Sequence, residues 1–262
     1  MNLDISAQEV EQWNGDFRAD RPLQMEMEAV ERTFLSLELT NPTCLDVGVV
    51  NPFGSLRLRR LGGYWTTVEA TPERARLAEA VLGEAPLLMG SAGELPFEDK
   101  QFDVVILARG CLKGPSAGDL ALVQECHRVL KTTGYLILAV DYRKTLDVAG
   151  LLCRRQWAGS SGYDDRQLFD LLKKGFDVLG VRTCCRFWVQ IARAMLGARG
   201  RTKGRTTACL YWLAHQLDGL LFFTKGYQAV AYGRRKGWRE REPPATRTSI
   251  TLSNSVLRRT RW

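Results

Sequence analysis

Histidine is almost missing from this chain: 262 residues contain two, His127 and His215. Seven cysteines are present, at 44, 111, 126, 153, 184, 185 and 209, and no two stand in C-x-x-C spacing. With so few imidazoles and no paired-thiol motif, neither a zinc site nor a disulfide framework is expected. The thiols read as reduced and mostly buried. The adjacent Cys184-Cys185 admits a redox role, but alternation along a strand accounts for it more simply. Long apolar runs are missing too: none approaches the roughly 18 residues that a membrane-spanning helix needs. The stretch MNLDISAQEVEQWNGD has neither a basic start nor an apolar signal core, so a cytoplasmic location is expected. Glycine is short in one telling place. CLDVGVVNPFG opens like a nucleotide-binding turn at Gly48, then carries Val50 and Pro52 where such turns repeat glycine.

What is present is an ordinary globular composition, 45% hydrophobic and 25% charged, with charge distributed unevenly. Residues 1–150 hold 15 Lys+Arg and 22 Asp+Glu, whereas residues 151–262 hold 22 and 7. The C-terminal part is therefore expected to meet something anionic, such as lipid headgroups, nucleic acid or a phosphorylated substrate; a solvated basic face is the plainer reading.

The apolar spacing predicts helices across 6–38, with Ser6 and Glu9 at capping-box distance and Pro22 opening the second. From a first strand at Cys44–Val47 the segments alternate as in an α/β fold. A helix over Gly54–Leu61 leads to YWTTVE. TPERARLAEAVLG has Thr71 as cap, Pro72 at the first helical position and Gly83 as stop. PLLMG reads as a short buried strand, FDVVILA as a strand apolar on both faces, GDLALVQECHRVLKTTG as a helix and YLILAVD as a fifth strand. Later come a helix at DDRQLFDLLKKG and strands at FDVLGVRTCCRF and GYQAVAYGRR. Between these strands, residues 187–224 read as two helices about the basic hinge GARGRTKGRT. The chain is thus expected to divide into N-terminal helices (1–40), an α/β domain (41–186 with 225–237), the insert (187–224) and a mobile basic tail (238–262).

A glycine turn after a first strand suits NAD, FAD or S-adenosylmethionine, and Gly48 alone does not choose. Four landmarks do. LDVG (45–48), Glu69 at the end of the second strand, GSAGELPFEDKQFDVVI (90–106) and ECHRVLKTTGYLIL (125–138) follow in order. Together they resemble the class I S-adenosylmethionine-dependent methyltransferases, of the broad group that includes the ubiquinone and menaquinone enzymes. The resemblance implies a doubly wound, mostly parallel, seven-stranded Rossmann-like sheet, here with an α-helical insert before the last strand. It implies S-adenosylmethionine as cofactor, held by Asp46, Gly48, Val50, Asn51, Glu69, Ala70, Ser91, Ala92 and Arg109. Ser91 stands where the family usually has an adenine-contacting Asp, and Thr132-Thr133 replace a Pro-Gly turn.

The residue types fit that ligand. Gly48 lets backbone approach without a Cβ, and a strand-end carboxylate such as Glu69 can accept two ribose hydroxyls. A dinucleotide needs its pyrophosphate on bare N–H groups at a helix start; S-adenosylmethionine has no phosphate, so Val50 and Pro52 cost less. Asn51 offers side-chain donors and Gly54 restores backbone freedom. Asp141, at the end of the fifth strand, is the preferred general base for a hydroxyl acceptor. His127 is expected to be structural, and His215 to face an acceptor pocket. The insert combines aromatic and aliphatic residues with Arg and Lys, as a membrane-surface helix pair or a lid does. The expected acceptor is a small or amphiphilic molecule, lipid-linked or from a cell-envelope glycan, with peripheral contact to anionic membrane. A non-catalytic binding protein is the alternative. Nucleic acid is disfavoured, because ARGCLKG, not an Asn-Pro-Pro-Tyr-like motif, follows strand four.

Overall fold

The computed structural model describes residues 5–48, 51–90, 93–143, 162–198, 205–220 and 226–238. Val50, Ser91, Ala92, Cys153, the centre of the basic hinge and the tail after Trp238 lie outside them.

Two helices come first. α1 (Ala7–Ala19) starts in the expected capping box, Ser6 accepting from the Glu9 backbone while Glu9 answers at the Ser6 N–H. α2 (Arg21–Leu35) is capped by Asp20, with Pro22 in its first turn. The α/β part continues as β1 (Thr43–Val47), α3 (Pro52–Arg59), β2 (Tyr64–Glu69), α4 (Pro72–Leu82), β3 (Leu87–Leu88), β4 (Phe102–Leu107), α5 (Ala117–Val129) and β5 (Leu130–Asp141). After it come α6 (Asp165–Leu172), β6 (Phe176–Cys184), α7 (Phe187–Ala198), α8 (Arg205–Leu220) and β7 (Gln228–Arg235).

The seven strands form one sheet in the order β3-β2-β1-β4-β5-β7-β6. All neighbours are parallel except β7, which runs antiparallel to both β5 and β6. Strand order reverses beside β1, the switch point at which doubly wound sheets hold ligands outside the carboxyl ends of their strands. Alternation divides the core. Leu45, Val47, Val105, Leu107, Leu136 and Leu138 point to the α5–α6 side, and Cys44, Val104, Ile106, Ile137 and Ala139 point to the α1–α2 side.

Several expectations change. The helix predicted over GDLALVQECHRVLKTTG stops at Val129, and LKTTG opens β5 instead. PLLMG is not buried: β3 has two residues, both exposed, because it is the outer edge of the sheet and pairs only with the end of β2. The vicinal thiols do not alternate along a strand. Cys184 ends β6, and Cys185 turns out of it with φ +56°, bringing both sulfurs to the Gln228 Oε1, at 3.7 and 2.9 Å. A left-handed turn at a non-glycine residue is held here by that contact and by burial of the Cys185 side chain.

The insert packs as a small core of its own. Cys185, Val189, Ala192, Tyr211 and Ala214 cluster with Met25 of α2. Asp218, buried in α8, accepts the Trp188 N–H at 2.7 Å and so caps the start of α7. His215 lies exposed on α8, off the buried stripe of that helix, which is Thr207, Tyr211, Ala214 and Asp218.

Candidate active site

The turn after β1 is fixed from both sides by the sheet. Gly48 N–H donates to Val68 O at 2.8 Å, and Ala108 N–H donates to Val47 O at 3.0 Å. Gly48 has φ +66°, and a Cβ there would run directly into Cys111 Sγ. Glycine is therefore required twice over, by conformation and by space.

A helix starts just beyond Gly48. Asn51 is the N-cap of α3: its Oδ1 accepts the Phe53 N–H at 3.0 Å, and its Nδ2 donates to Trp13 O at 3.3 Å. Pro52 occupies the first helical position, where a missing N–H costs nothing. Gly54 serves packing and not backbone freedom. It is helical, and a Cβ would press to 3.2 Å from Met27 Sδ beside Phe17. The departures from a glycine loop are thus signals for where α3 begins and how closely α2 lies on it.

Acids surround the turn. Asp46 is 2% exposed and Glu69, at the end of β2, is 1% exposed. Burial raises the Asp46 carboxyl to about 6, against a hydrogen bond from Ser55 and the charge of Arg59. Its Oδ2 has no hydrogen-bond partner among the described residues. It lines a cavity of about 30 Å³ shared with Glu26, Asn51, Leu58 and Ala139, room for a water or two. Cys111, above Gly48, registers the same field: its thiol is pushed up to about 12, first by burial and then by Glu69 and Asp46. A pyrophosphate would meet two carboxylates and a helix whose first N–H is absent. The donor set suits a ligand that brings positive charge and no phosphate. Gly48 would take its close approach and Glu69 its hydroxyls. Ala70 is exposed in the bend after Glu69.

Arg109 follows Ala108 just past the end of β4, and its partner Glu26 lines the same cavity as Asp46. The Arg109 Nε is 2.5 Å from Glu26 Oε2 of α2, and its Nη1 is 3.6 Å from Asp141 Oδ1 at the end of β5. The guanidinium is committed to these two carboxylates, and the Asp141 side chain stays 45% exposed. Glu26 escaped the sequence reading. It sits on the apolar stripe of α2 beside Met27 and Val30, where an acid breaks the pattern, and that break was its only signal. Burial raises its pKa, against the pull of Arg109. Across the sheet, Asp141 pairs with Gln228, and Gln228 with Cys184, so a row of cross-strand neighbours runs from the end of β5 to the foot of the insert.

The two downstream landmarks prove to be one device. Glu125 accepts the Leu95 N–H at 3.0 Å, and Arg128 donates to Leu95 O and Phe97 O at 3.0 and 2.7 Å. Arg128 also pairs with Glu125 and Asp99. The α5 signature clamps the Leu-Pro-Phe loop, which begins two residues after Gly93. His127 is structural, its Nε2 2.6 Å from Lys236 O and its ring edge-on to Phe176 and Trp238.

Sheet order, the turn at Gly48 and the acid at the end of β2 define a doubly wound domain whose switch point lies beside that turn. Residues 45–138 match a family model described as a methyltransferase domain. The chain is 24% identical over 193 residues to a Mycobacterium ulcerans protein named probable phthiotriol/phenolphthiotriol dimycocerosates methyltransferase 2, covering 68% of this chain and 74% of that one. A Thermotoga maritima structure, described as a S-adenosylmethionine-dependent methyltransferase and possible histamine N-methyltransferase, aligns with TM-score 0.55. It is 17% identical and covers 87% of this chain and 97% of its own. The structure of the [4+2]-cyclase SpnF aligns with TM-score 0.53 at 21% identity, over 79% of this chain and 82% of its own. A cyclase on the same fold makes clear that the sheet does not choose the reaction; the motif match does. Residues 45–138 form a methyltransferase domain, the chain is a methyltransferase, and S-adenosylmethionine is its methyl donor.

Proposed function

We propose that this methyltransferase acts on a small amphiphilic acceptor, lipid-linked or of the cell-envelope glycan class, that it methylates a hydroxyl, and that Asp141 is the general base. The carrying observation is one juxtaposition. A half-exposed carboxylate at the end of β5 is steered by Arg109, and the same α2 that supplies Glu26 also carries Met25, on which the apolar insert is seated.

The donor supplies a methyl group already activated on a sulfonium. The protein has then to align the acceptor and take its proton. Asp141 can accept that proton from a hydroxyl within hydrogen-bond reach. Arg109 holds the carboxylate in place, and Glu26 balances the guanidinium charge from its other side. Gly48 and Glu69 hold the cofactor end, and Cys111 and Asp46 close the floor of the turn. The M. ulcerans relative is named for methyl transfer to phthiotriol/phenolphthiotriol dimycocerosates, which supports an amphiphilic acceptor here.

The test is incubation with methyl-tritiated S-adenosylmethionine and a total lipid extract of the producing organism. Label should enter the organic phase, and Asp141→Asn should reduce its rate by about 10²–10⁴-fold, the usual range for a general base, with calorimetric binding of S-adenosylmethionine intact. Label confined to water-soluble products would overturn the amphiphilic acceptor. An undiminished Asp141→Asn rate would overturn the base.

A further inference from the structure

The two insert helices each carry a second apolar stripe that the fold leaves unused. In α7, Val189, Ala192 and Leu196 face the small core with Tyr211 and Ala214. Trp188, Ile191 and Met195, also three and four residues apart, form the other stripe, and Trp188 and Met195 are exposed. In α8 the buried stripe is Thr207, Tyr211, Ala214 and Asp218, while Leu210, Leu213, Leu217 and Leu220 run along a different face. Leu220 is 71% exposed, and Trp212 adds a third exposed position at 55%. Single exposed apolar residues are ordinary. Two helical stripes with two tryptophans, on one insert, mark a contact surface.

Charge says which contact. Residues 187–224 carry five Arg or Lys and a single acid. That acid, Asp218, is 2% exposed and caps α7, so it presents no negative charge outward. The part of the chain from 151 onward has 22 Lys+Arg against 7 Asp+Glu. A second copy of this chain would bring like charge against like across a two-fold contact. An anionic bilayer meets both demands: acyl chains and headgroup region for Trp and Leu, phosphates for Arg and Lys.

We infer that the outward faces of α7 and α8 dock this protein onto the surface of anionic membranes, setting the active site beside the bilayer from which an amphiphilic acceptor is drawn. The inference rests on the amphiphilic-acceptor reading for its purpose but not for its test. The apolar stripes lie in the headgroup layer without crossing it; among the described residues no helix is long and apolar enough to span a membrane.

The experiment is co-sedimentation of the full chain with vesicles of phosphatidylcholine alone and of phosphatidylcholine containing phosphatidylglycerol. Binding should require the anionic lipid and weaken as salt is raised. Trp212→Ser/Leu213→Ser and Trp188→Ser/Met195→Ser should each cut partitioning by about tenfold or more, since binding scales with inserted apolar area. Circular dichroism and calorimetric binding of S-adenosylmethionine should match the unmodified chain. Equal binding to neutral vesicles, undiminished binding by both variants, or a dimer in light scattering that the variants dissociate would overturn the inference. If vesicle binding fails while label still enters lipid, docking is wrong and the acceptor reading stands. The reverse pattern separates them the other way.

Discussion

Arg109 Nε lies 2.5 Å from Glu26 Oε2, joining the turn after β4 to a helix 83 residues earlier in the chain. Both groups are largely out of water, with side chains 14% and 3% exposed. The pair fixes α2 over the carboxyl ends of the strands and leaves the guanidinium poised on Asp141. Removing one partner strands the other. Glu26→Leu, which takes the nearer of its two carboxylate partners from the buried Arg109, should destabilise the fold by about 3 kcal/mol in urea unfolding, and the double variant Glu26→Leu/Arg109→Met should recover most of that. A double variant no more stable than the single would show that the pair is not coupled.

Gly48→Ala introduces a Cβ at φ +66° pointing at Cys111 Sγ. The turn should distort, with stability lowered by about 1–3 kcal/mol and calorimetric binding of S-adenosylmethionine lost. Adding Cys111→Ala removes the collision but not the backbone strain, so stability should return in part. Full return would place the whole cost on the thiol.

Asp46 provides a pH signature. Burial raises its folded pKa to about 6 from an ordinary 3.8. The protonated acid is favoured on folding, so its contribution is complete below the unfolded value and lost as pH rises through about 6. Asp46→Asn keeps a neutral group there. Relative to the unmodified chain it should be equally stable near pH 4 and, at pH 8, more stable by about 3 kcal/mol, two pKa units' worth. A difference independent of pH between these limits would refute the buried-acid account.

Arg128 holds Leu95 O, Phe97 O and Asp99 through one guanidinium. Arg128→Met should release the loop 95–99, and hydrogen exchange there should quicken while the central strands β1, β4 and β5 keep their protection. Because this loop follows the segment that the family resemblance places against the adenine, cofactor affinity should fall with it, by about tenfold. An unchanged exchange pattern would mean that Glu125 suffices as the clamp.

Much of this was legible because local rules act over a few residues. Ser6 and Glu9, Thr71 and Pro72, and Gly83 with φ +75° mark helix ends by geometry that needs no tertiary partner. The continuous apolar run VVIL in FDVVILA identifies an interior parallel strand, since only a sheet covered on both faces buries successive residues of a strand. The spacing from Gly48 brings Glu69 to the end of β2 for a similar reason, a turn and one βα unit having nearly fixed length. Asn51-Pro52 was ambiguous because a helix cap and a ligand donor use the same side chain, and the sequence does not say which backbone N–H is nearer. PLLMG misled because its edge position depends on strand order and not on its own composition.

The sequence by itself determined the class: a doubly wound methyltransferase domain with a basic, aromatic insert. The alternation and the insert rest on contacts within a few residues or on one repeating period, and the class rests on the resemblance carried by LDVG, Glu69 and the stretches 90–106 and 125–138. Only tertiary structure decided the partners. Glu26 meets Arg109, Arg128 meets the Leu-Pro-Phe loop, and the two thiols meet Gln228 because the packing of separate elements brings them within bond length. It also decided which apolar stripe of each insert helix is core and which faces outward, since both stripes repeat with the same helical period.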